Sequence, residues 1–247
     1  MINLHHGDCL EVMDALIEQG VTVDAIITDP PYGTTACKWD SVIPFDAMWE
    51  RLNKLIKPNG AIVLFGSEPF SSVLRMSNIK HYKYDWVWNK KAFANQMMAK
   101  KQPLRITENI SVFNAKVYVP QGLLEYNKLT RQGVKVSDNI GGGVRAKDYV
   151  QTHTNYPKNI LAFSKDKPSL HPTQKPVALM EYLIKTYTHE GEMVLDFTMG
   201  SGTTGVACIN TGMGFIGIER DEAYFEIAKQ RIADAQASMP LFNEVAL

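Results

Sequence analysis

The chain carries a repeating pattern: short β-branched apolar runs, each separated from the next by a segment with helical spacing. Val23-Asp24-Ala25-Ile26-Ile27-Thr28, Ala61-Ile62-Val63-Leu64-Phe65, Met193-Val194-Leu195-Asp196 and Phe215-Ile216-Gly217-Ile218 read as buried strands. Residues 2 to 6 form a further short strand. Asp8 to Gln19 places Leu10, Val12, Met13, Leu16 and Ile17 on one side of a helix. A second helix is expected near Phe45 to Ile56, ended by Lys57-Pro58-Asn59-Gly60, and a third from about Glu68 to Asn78. Val177 to Tyr187, Thr203 to Asn210 and Glu222 to Ala235 give three more. This alternation predicts an α/β fold: a doubly wound, mostly parallel sheet covered on both faces.

The pattern breaks in the middle. Residues 80 to 91 alternate aromatic and basic side chains (Tyr82, Tyr84, Trp86 and Trp88 among Lys80, Lys83, Lys90 and Lys91), which suggests a strand or hairpin. Ile106 to Phe113 reads as another strand. From 116 to 170 the chain is rich in Gly, Asn, Lys and Tyr, with Gly141-Gly142-Gly143 and little periodicity, and is expected to be an inserted region that touches a partner.

Chemistry concentrates at two strand ends. Asp29-Pro30-Pro31-Tyr32 follows the run ending at Thr28, and open α/β sheets bind ligands at the carboxyl ends of their strands. The two prolines remove two backbone donors and fix φ twice, so the carbonyls are held stiffly beside one carboxylate and one aromatic ring. Such a set suits a flat, amine-bearing substrate such as a nucleobase; the alternative is an ordinary strand-ending turn. The second end is Asp196-Phe197-Thr198-Met199-Gly200-Ser201-Gly202-Thr203-Thr204-Gly205, a GxGxxG between strand and helix, with Glu219 at the tip of the next strand. Glycines let a backbone approach a ligand, the helix start offers free N–H groups, and a carboxylate can take both hydroxyls of a ribose. A nicotinamide or flavin enzyme is therefore one reading. Only one strand and one helix follow the loop, however, which leaves little chain for a second nucleotide half. Asp8, with Glu11 at capping-box spacing, is either a helix cap or a ligand.

Charge changes the picture more than composition does. Lys and Arg total 26, as do Asp and Glu, so the net charge is zero. Yet residues 80 to 180 hold 17 Lys/Arg against 6 Asp/Glu, and the two ends of the chain, residues 1 to 60 and 181 to 247, are acidic. A basic middle third fits a polyanion-facing module, the alternative being a solvated lysine-rich surface. Cys9, Cys37 and Cys208 are far apart, with no CxxC, which suggests neither a disulfide framework nor a zinc site. No signal pattern and no long apolar run stand out, so a cytoplasmic location without membrane contact is expected.

Taken together, Gly7-Asp8-Cys9, Asp29-Pro30-Pro31-Tyr32, Trp39-Asp40, Glu108-Asn109-Ile110-Ser111-Val112-Phe113, Tyr156-Pro157-Lys158-Asn159-Ile160-Leu161, His171-Pro172-Thr173-Gln174-Lys175-Pro176, the glycine loop and Gly217-Ile218-Glu219 resemble the amino-methylating DNA methyltransferases of the β arrangement. The resemblance implies a single S-adenosylmethionine-dependent methyltransferase domain over 1–247, with a catalytic half at 1–115, a target-recognition insertion at about 116–170 and a cofactor half at about 171–236. It implies transfer to an exocyclic amine of a base flipped out of double-stranded DNA. Asp29 and the Pro30 carbonyl would accept the amine hydrogens, with Pro31 and Tyr32 completing the loop and Tyr32 stacking on the base. Aspartate rather than serine at the first position favours adenine N6 over cytosine N4.

The implied cofactor contacts are Asp8 (adenine amine), Cys9, Asp29, Asp196, Phe197, Glu219 (ribose) and Arg220. Gly200, Ser201, Gly202, Thr203 and Thr204, with Thr173 and Lys175, are assigned to the methionine end. The implied DNA contacts are Lys90, Lys91, Lys100, Lys101, Arg105, Lys128, Arg131, Lys135, Arg145 and Lys147. One departure stands out: the family usually has Asp-Pro-Phe-x-Gly in the cofactor loop, whereas Phe197 and Thr198 hold those two positions here. A homodimer and a cognate restriction endonuclease stay open as further partners. So do two other readings, a silent nucleic-acid-binding module and a nicotinamide-dependent oxidoreductase.

Overall fold

The computed structural model describes residues 1–34, 40–130, 148–167 and 174–238. The chain divides into two compact units, Met1–Val119 with Asn159–Leu247, and Pro120–Lys158. In order, its elements are β1 (Ile2–His6), α1 (Cys9–Glu18), β2 (Val23–Thr28), α2 (Phe45–Leu55), β3 (Ile56–Gly66), α3 (Phe70–Ser77), β4 (Tyr82–Ala94) and β5 (Arg105–Phe113). There follow β6 (Leu124–Thr130), β7 (Tyr149–Thr154), β8 (Ile160–Ala162), α4 (Val177–Tyr187), β9 (Met193–Asp196), α5 (Thr203–Thr211), β10 (Gly214–Glu219) and α6 (Glu222–Ser238).

Eight strands form one sheet in the order β1-β10-β9-β2-β3-β5-β4-β8. Neighbours are parallel except at β5, which runs antiparallel to both β3 and β4. The doubly wound, mostly parallel sheet expected from the alternation is therefore the fold. Its apolar runs are continuous because both faces are covered, and successive residues divide between two cores. Ala25, Ile27, Val63 and Phe65 pack with Leu183, Tyr187, Ala207 and Ile232 of α4, α5 and α6. Ile26, Ile62 and Leu64 pack with Met13, Leu16, Trp49, Leu52 and Leu74 of α1, α2 and α3. The chain starts at one edge with β1, crosses to β2 in the middle and later returns to fill the gap with β9 and β10. The strand order turns at the β9–β2 pair, where α/β sheets open a crevice at the carboxyl ends.

Three details differ from the sequence reading. Residues 57–60 do not stop a helix in a loop but lie within β3, as an irregularity between the pairs Val23–Ile56 and Ala25–Ala61. Lys57 there pairs with Asp24 at 2.7 Å, a partner supplied by the neighbouring strand and invisible to local turn rules. The third helix begins at Phe70 rather than Glu68. The inserted unit is shorter than 116–170, since residues from 159 onward rejoin the larger unit, where β8 pairs with β4; three residues are too few to show a period. The strand expected of the aromatic and basic run at residues 80–91 is β4, and its tryptophans build the fold. Trp86 Nε1 donates to the Tyr187 hydroxyl at 2.6 Å and Trp88 Nε1 to the Phe163 carbonyl at 2.9 Å, both indoles being buried. The smaller unit contains an antiparallel pair, β6 with β7, on which Lys128 lies 5.0 Å from the Tyr126 ring centroid.

Gly60 is where β3 presses hardest on its neighbour. A Cβ there would meet the Asp24 carbonyl oxygen at 2.5 Å and the Ile56 side chain at the same distance. Gly60→Ala is expected to lower unfolding free energy by about 1–3 kcal/mol, read from urea denaturation. An unchanged midpoint would mean the two strands separate there at no cost.

Candidate active site

The two motif loops meet because β2 and β9 are neighbours. Thr28, the last residue of β2, donates its hydroxyl hydrogen to Asp196 Oδ1 at the end of β9. Thr198 Oγ1 lies 2.8 Å from Thr28 Oγ1 and 3.1 Å from the Asp29 carbonyl, to which it donates. The Thr198 amide donates to Asp196 Oδ1 at 3.1 Å, and the Thr204 hydroxyl to Asp196 Oδ2. Burial pushes the Asp196 carboxyl up to about 6, against the pull of these donors. Thr198, which replaces the usual aromatic residue of the loop, is thus the tie between the two motifs. Phe197, in the usual proline position, is buried beside Leu195 and Ile218.

A cavity of about 220 Å3 opens at this edge of the larger unit. Asp29, Pro30, Pro31 and Tyr32 line it, as do Asp8, Cys9, Lys175, Asp196, Phe197, Gly200, Ser201, Thr203, Thr204, Glu219 and Arg220. The Tyr32 hydroxyl donates to Asp29 Oδ1, and Lys175 Nζ lies 2.5 Å from Asp29 Oδ2. Asp40, named in the sequence as half of a pair, anchors the loop from below by accepting from the amides of Gly33 at 2.8 Å and Thr34 at 2.9 Å. On the opposite wall Glu219 accepts from the amides of Gly200 (2.9 Å) and Asp221 (2.8 Å). Its carboxylate is fixed in orientation, and burial raises its pKa in spite of these donors. Asp8 caps α1 through the Leu10 amide at 2.9 Å and also lines the cavity. Burial and the Asp8 charge push the Cys9 thiol up to about 12, which leaves it neutral and unreactive at physiological pH.

Not every expected residue has the expected surroundings. Gly202, in the left-handed region at φ +79°, faces α6; a Cβ there would meet Ala228 Cβ at 2.8 Å. Its freedom serves helix packing rather than the cavity. Lys90 is a correction: its side chain is buried and ion-paired with Glu108 at 3.1 Å, so it is not placed to meet a polyanion. Its partner lies on β5, a contact that no local pattern reveals. Lys91, Lys100, Lys101, Arg105 and Lys128 are exposed, Arg105 also donating to Ser67 Oγ at 2.8 Å. Thr173, Arg131, Lys135, Arg145, Lys147 and Trp39 lie outside the described residues. Sequence reasoning missed Arg231 on α6, which braces the glycine loop through the Ser201 carbonyl at 2.5 Å and the Ser201 hydroxyl at 3.0 Å. It also missed Met180 and Tyr224 on the cavity wall. Among the described residues no group of His, Cys, Asp and Glu could hold a metal ion, and no helix is long and apolar enough to cross a membrane.

A family model for DNA methylases of the N6/N4 methyltransferase kind matches residues 23–230. Among curated proteins, the chain is 28% identical to the type II methyltransferase M.HpaI of Haemophilus parainfluenzae over 85% of its own length and 68% of the relative's. It is 26% identical to the type II methyltransferase M2.LlaDCHI of Lactococcus lactis subsp. cremoris, over 93% and 88%. The crystal structure of the M1.HpyAVI–SAM complex superposes with a TM-score of 0.66 at 28% identity, covering 94% of this chain and 99% of that one. The cytosine-N4-specific PvuII DNA methyltransferase shares the fold, with a TM-score of 0.65 at 15% identity over 96% and 91% of the two chains.

The Asp196 carboxyl gives the site a pH signature. A group raised from 3.8 to about 6 on folding contributes stability that is fully present below its unfolded value and lost as pH rises through the folded one. Asp196→Asn removes this dependence. Between pH 4 and pH 7.5 the stability of the variant relative to the native protein is expected to shift in the variant's favour by about 2 kcal/mol, measured by urea denaturation at both pH values. A difference independent of pH would mean that Asp196 is already ionised in the fold at pH 4.

Proposed function

This chain belongs to the N6/N4 family of DNA methylases, and on that premise we propose that it transfers the methyl group of S-adenosylmethionine to the N6 amine of adenine in double-stranded DNA, with the target base turned out of the helix. The observation that carries the reading is the shared cavity. It gathers Asp29 and Pro30 around one space with the glycine loop and Glu219.

The residues present fit the cofactor. Glu219, oriented by two backbone amides, is the acceptor for the ribose hydroxyls; Asp8, beside it at the end of β1, is the acceptor for the adenine amine. The loop from Gly200 to Thr204, braced by Arg231, would hold the methionine end. When bound, S-adenosylmethionine supplies a methyl group made electrophilic by its sulfonium. The protein's task is then geometric and electrostatic. An exocyclic amine is a poor nucleophile because its lone pair is delocalised into the ring. Asp29 and the Pro30 carbonyl accept its two hydrogens, which draws the nitrogen toward tetrahedral geometry and balances the positive charge that develops there. Tyr32 stacks on the base, and its hydroxyl, held by Asp29, fixes the ring's orientation. An aspartate at position 29 supports adenine. Cytosine N4 is the second reading, since the cytosine-N4-specific PvuII enzyme has the same fold.

Three predictions follow from these roles. Asp29→Ala is expected to lower the methylation rate by about 100-fold or more while cofactor binding persists in a thermal melt; substantial turnover would remove Asp29 from the mechanism. Plasmid DNA incubated with labelled cofactor and digested to nucleosides is expected to carry label in N6-methyladenine by mass spectrometry, and label in N4-methylcytosine would overturn the base assignment. DNA affinity is expected to fall with salt at a log–log slope of about −4 to −5 if Lys91, Lys100, Lys101, Arg105 and Lys128 each meet a phosphate. A flat response would show that these side chains do not.

A further inference from the structure

Asp29 is one member of a buried ionic cluster whose other members, Lys175, Glu108 and Lys90, have no role in the reading above. Lys175 Nζ stands 2.5 Å from Asp29 Oδ2 and 3.3 Å from Glu108 Oε2, and Lys90 Nζ stands 3.1 Å from Glu108 Oε1. The two lysine side chains are 7% and 8% exposed. Two cations and two carboxylates are thus gathered from β4, β5, the end of β2 and the segment before α4. The Lys175 ammonium also lies 5.1 Å from the ring centroid of Phe65, 5.9 Å from Tyr32 and 6.0 Å from Trp88, where ring faces replace part of its lost hydration. A lone ammonium would not persist in such a place. Its position is explained by the carboxylates on either side of it.

Both oxygens of Asp29 are engaged by this cluster, Oδ1 by the Tyr32 hydroxyl and Oδ2 by Lys175. The Tyr32 ring in turn packs on Phe70 at 5.0 Å. We propose that Lys175 is a positioning residue for methyl transfer, orienting Asp29 and supplying its counter-charge, and that Glu108 sets the strength of this hold by sharing the same ammonium. The inference rests on Asp29 being the acceptor of the target amine. Glu108 Oε2 reaches Lys175 by charge at 3.3 Å rather than through an aligned hydrogen bond, so its share is the weaker one.

The electrostatics agree with this division. Burial pushes the Asp29 carboxyl up, Lys175 opposes the rise, and Glu108 adds to it. Burial works to discharge Lys175, but Asp29 and Glu108 outweigh it and keep the ammonium protonated. Glu108 is held below the usual carboxylate range by its two lysines although burial acts the other way. Among the described residues, Tyr32, Asp40, Asp196 and Lys165 also act on Asp29 or its loop. Removing Lys175 should therefore move the Asp29 titration to higher pH, and neutralising Glu108 should move it to lower pH. A merely structural ion pair would move that titration too but would leave the acid limb of the methylation rate in place.

The test follows Asp29 itself. Protein carrying 13C at its aspartate carboxyls is titrated by NMR, with the Asp29 signal assigned by its loss in D29N, for the native chain and for K175M, K175R and E108Q. The acid limb of the DNA methylation rate is measured on the same proteins. The Asp29 midpoint is expected to rise by about 1–3 pH units in K175M, to fall in E108Q and to stay near the native value in K175R, with the rate limb moving alike. If K175M does not fold, E108Q and K175R carry the comparison. Equal midpoints in the native protein, K175R and E108Q, or shifts of K175M and E108Q in the same direction, would reduce Lys175 to a structural cation. Midpoints that move as stated in a protein that methylates no DNA would leave the hold in place and overturn the methyl-transfer assignment instead.

Discussion

The contact on which the rest depends is the one between the carboxyl ends of β2 and β9, two parallel strands about 170 residues apart in the chain. Their pairing covers only Ala25 with Val194 and Ile26 with Leu195. Beyond that short ladder the strands are joined by side chains, through the buried Asp196 and the hydroxyls of Thr28, Thr198 and Thr204. A carboxyl in this position must be satisfied almost completely, because an unpaired buried polar group costs about 1–3 kcal/mol. The requirement fixes the distance between the loop that presents Asp29 and the loop that presents Gly200. An Asp-Pro-Pro-Tyr loop without this seam would be a stiff turn with no second wall to its cavity.

The same edge shows how one sheet supports two kinds of carboxylate. Asp196 is enclosed by hydroxyl and amide donors, and burial raises its carboxyl to about 6 against their pull. Asp29 lies next to an ammonium and keeps one side on the cavity. The difference comes from what each strand end faces: Asp196 looks into the seam, whereas Asp29 looks across to Lys175, delivered by the segment before α4. Burial raises both carboxyls, and at Asp29 the neighbouring Lys175 ammonium works against that rise.

The basic middle third of the chain resolves into separate populations. Lys90 and Lys175 are buried counter-ions within the larger unit, while Lys91, Lys100, Lys101, Arg105 and Lys128 are exposed. Only the second group can neutralise phosphates and release counterions. The aromatic residues interleaved with these lysines divide as well: Trp86 and Trp88 fill the core and cap their indole N–H groups on Tyr187 and Phe163, so the aromatic and basic alternation of that strand records a sheet with one buried face.

The sequence by itself determined the regular elements and both motif loops. Val23–Thr28, Val177–Tyr187 and Met193–Asp196 have the bounds their patterns predict, because a strand buried on both faces and a helix with one apolar stripe are written in neighbouring residues. The Asp-Pro-Pro-Tyr loop, the glycine loop and Glu219 were legible for the same reason: turn chemistry and strand ends are local. What the tertiary structure alone decided depends on partners from distant segments. Lys90 became a buried counter-ion because Glu108 lies across a strand pair. Lys57 to Gly60 joined a strand because Asp24 supplied a partner for Lys57, and Arg231 acquired its place under the glycine loop only when α6 packed there. Thr198, read as a departure from a motif, became the tie between the two loops. In each case the residue's energy is set by burial and by a charge or donor many positions away, quantities that no periodicity along the chain contains.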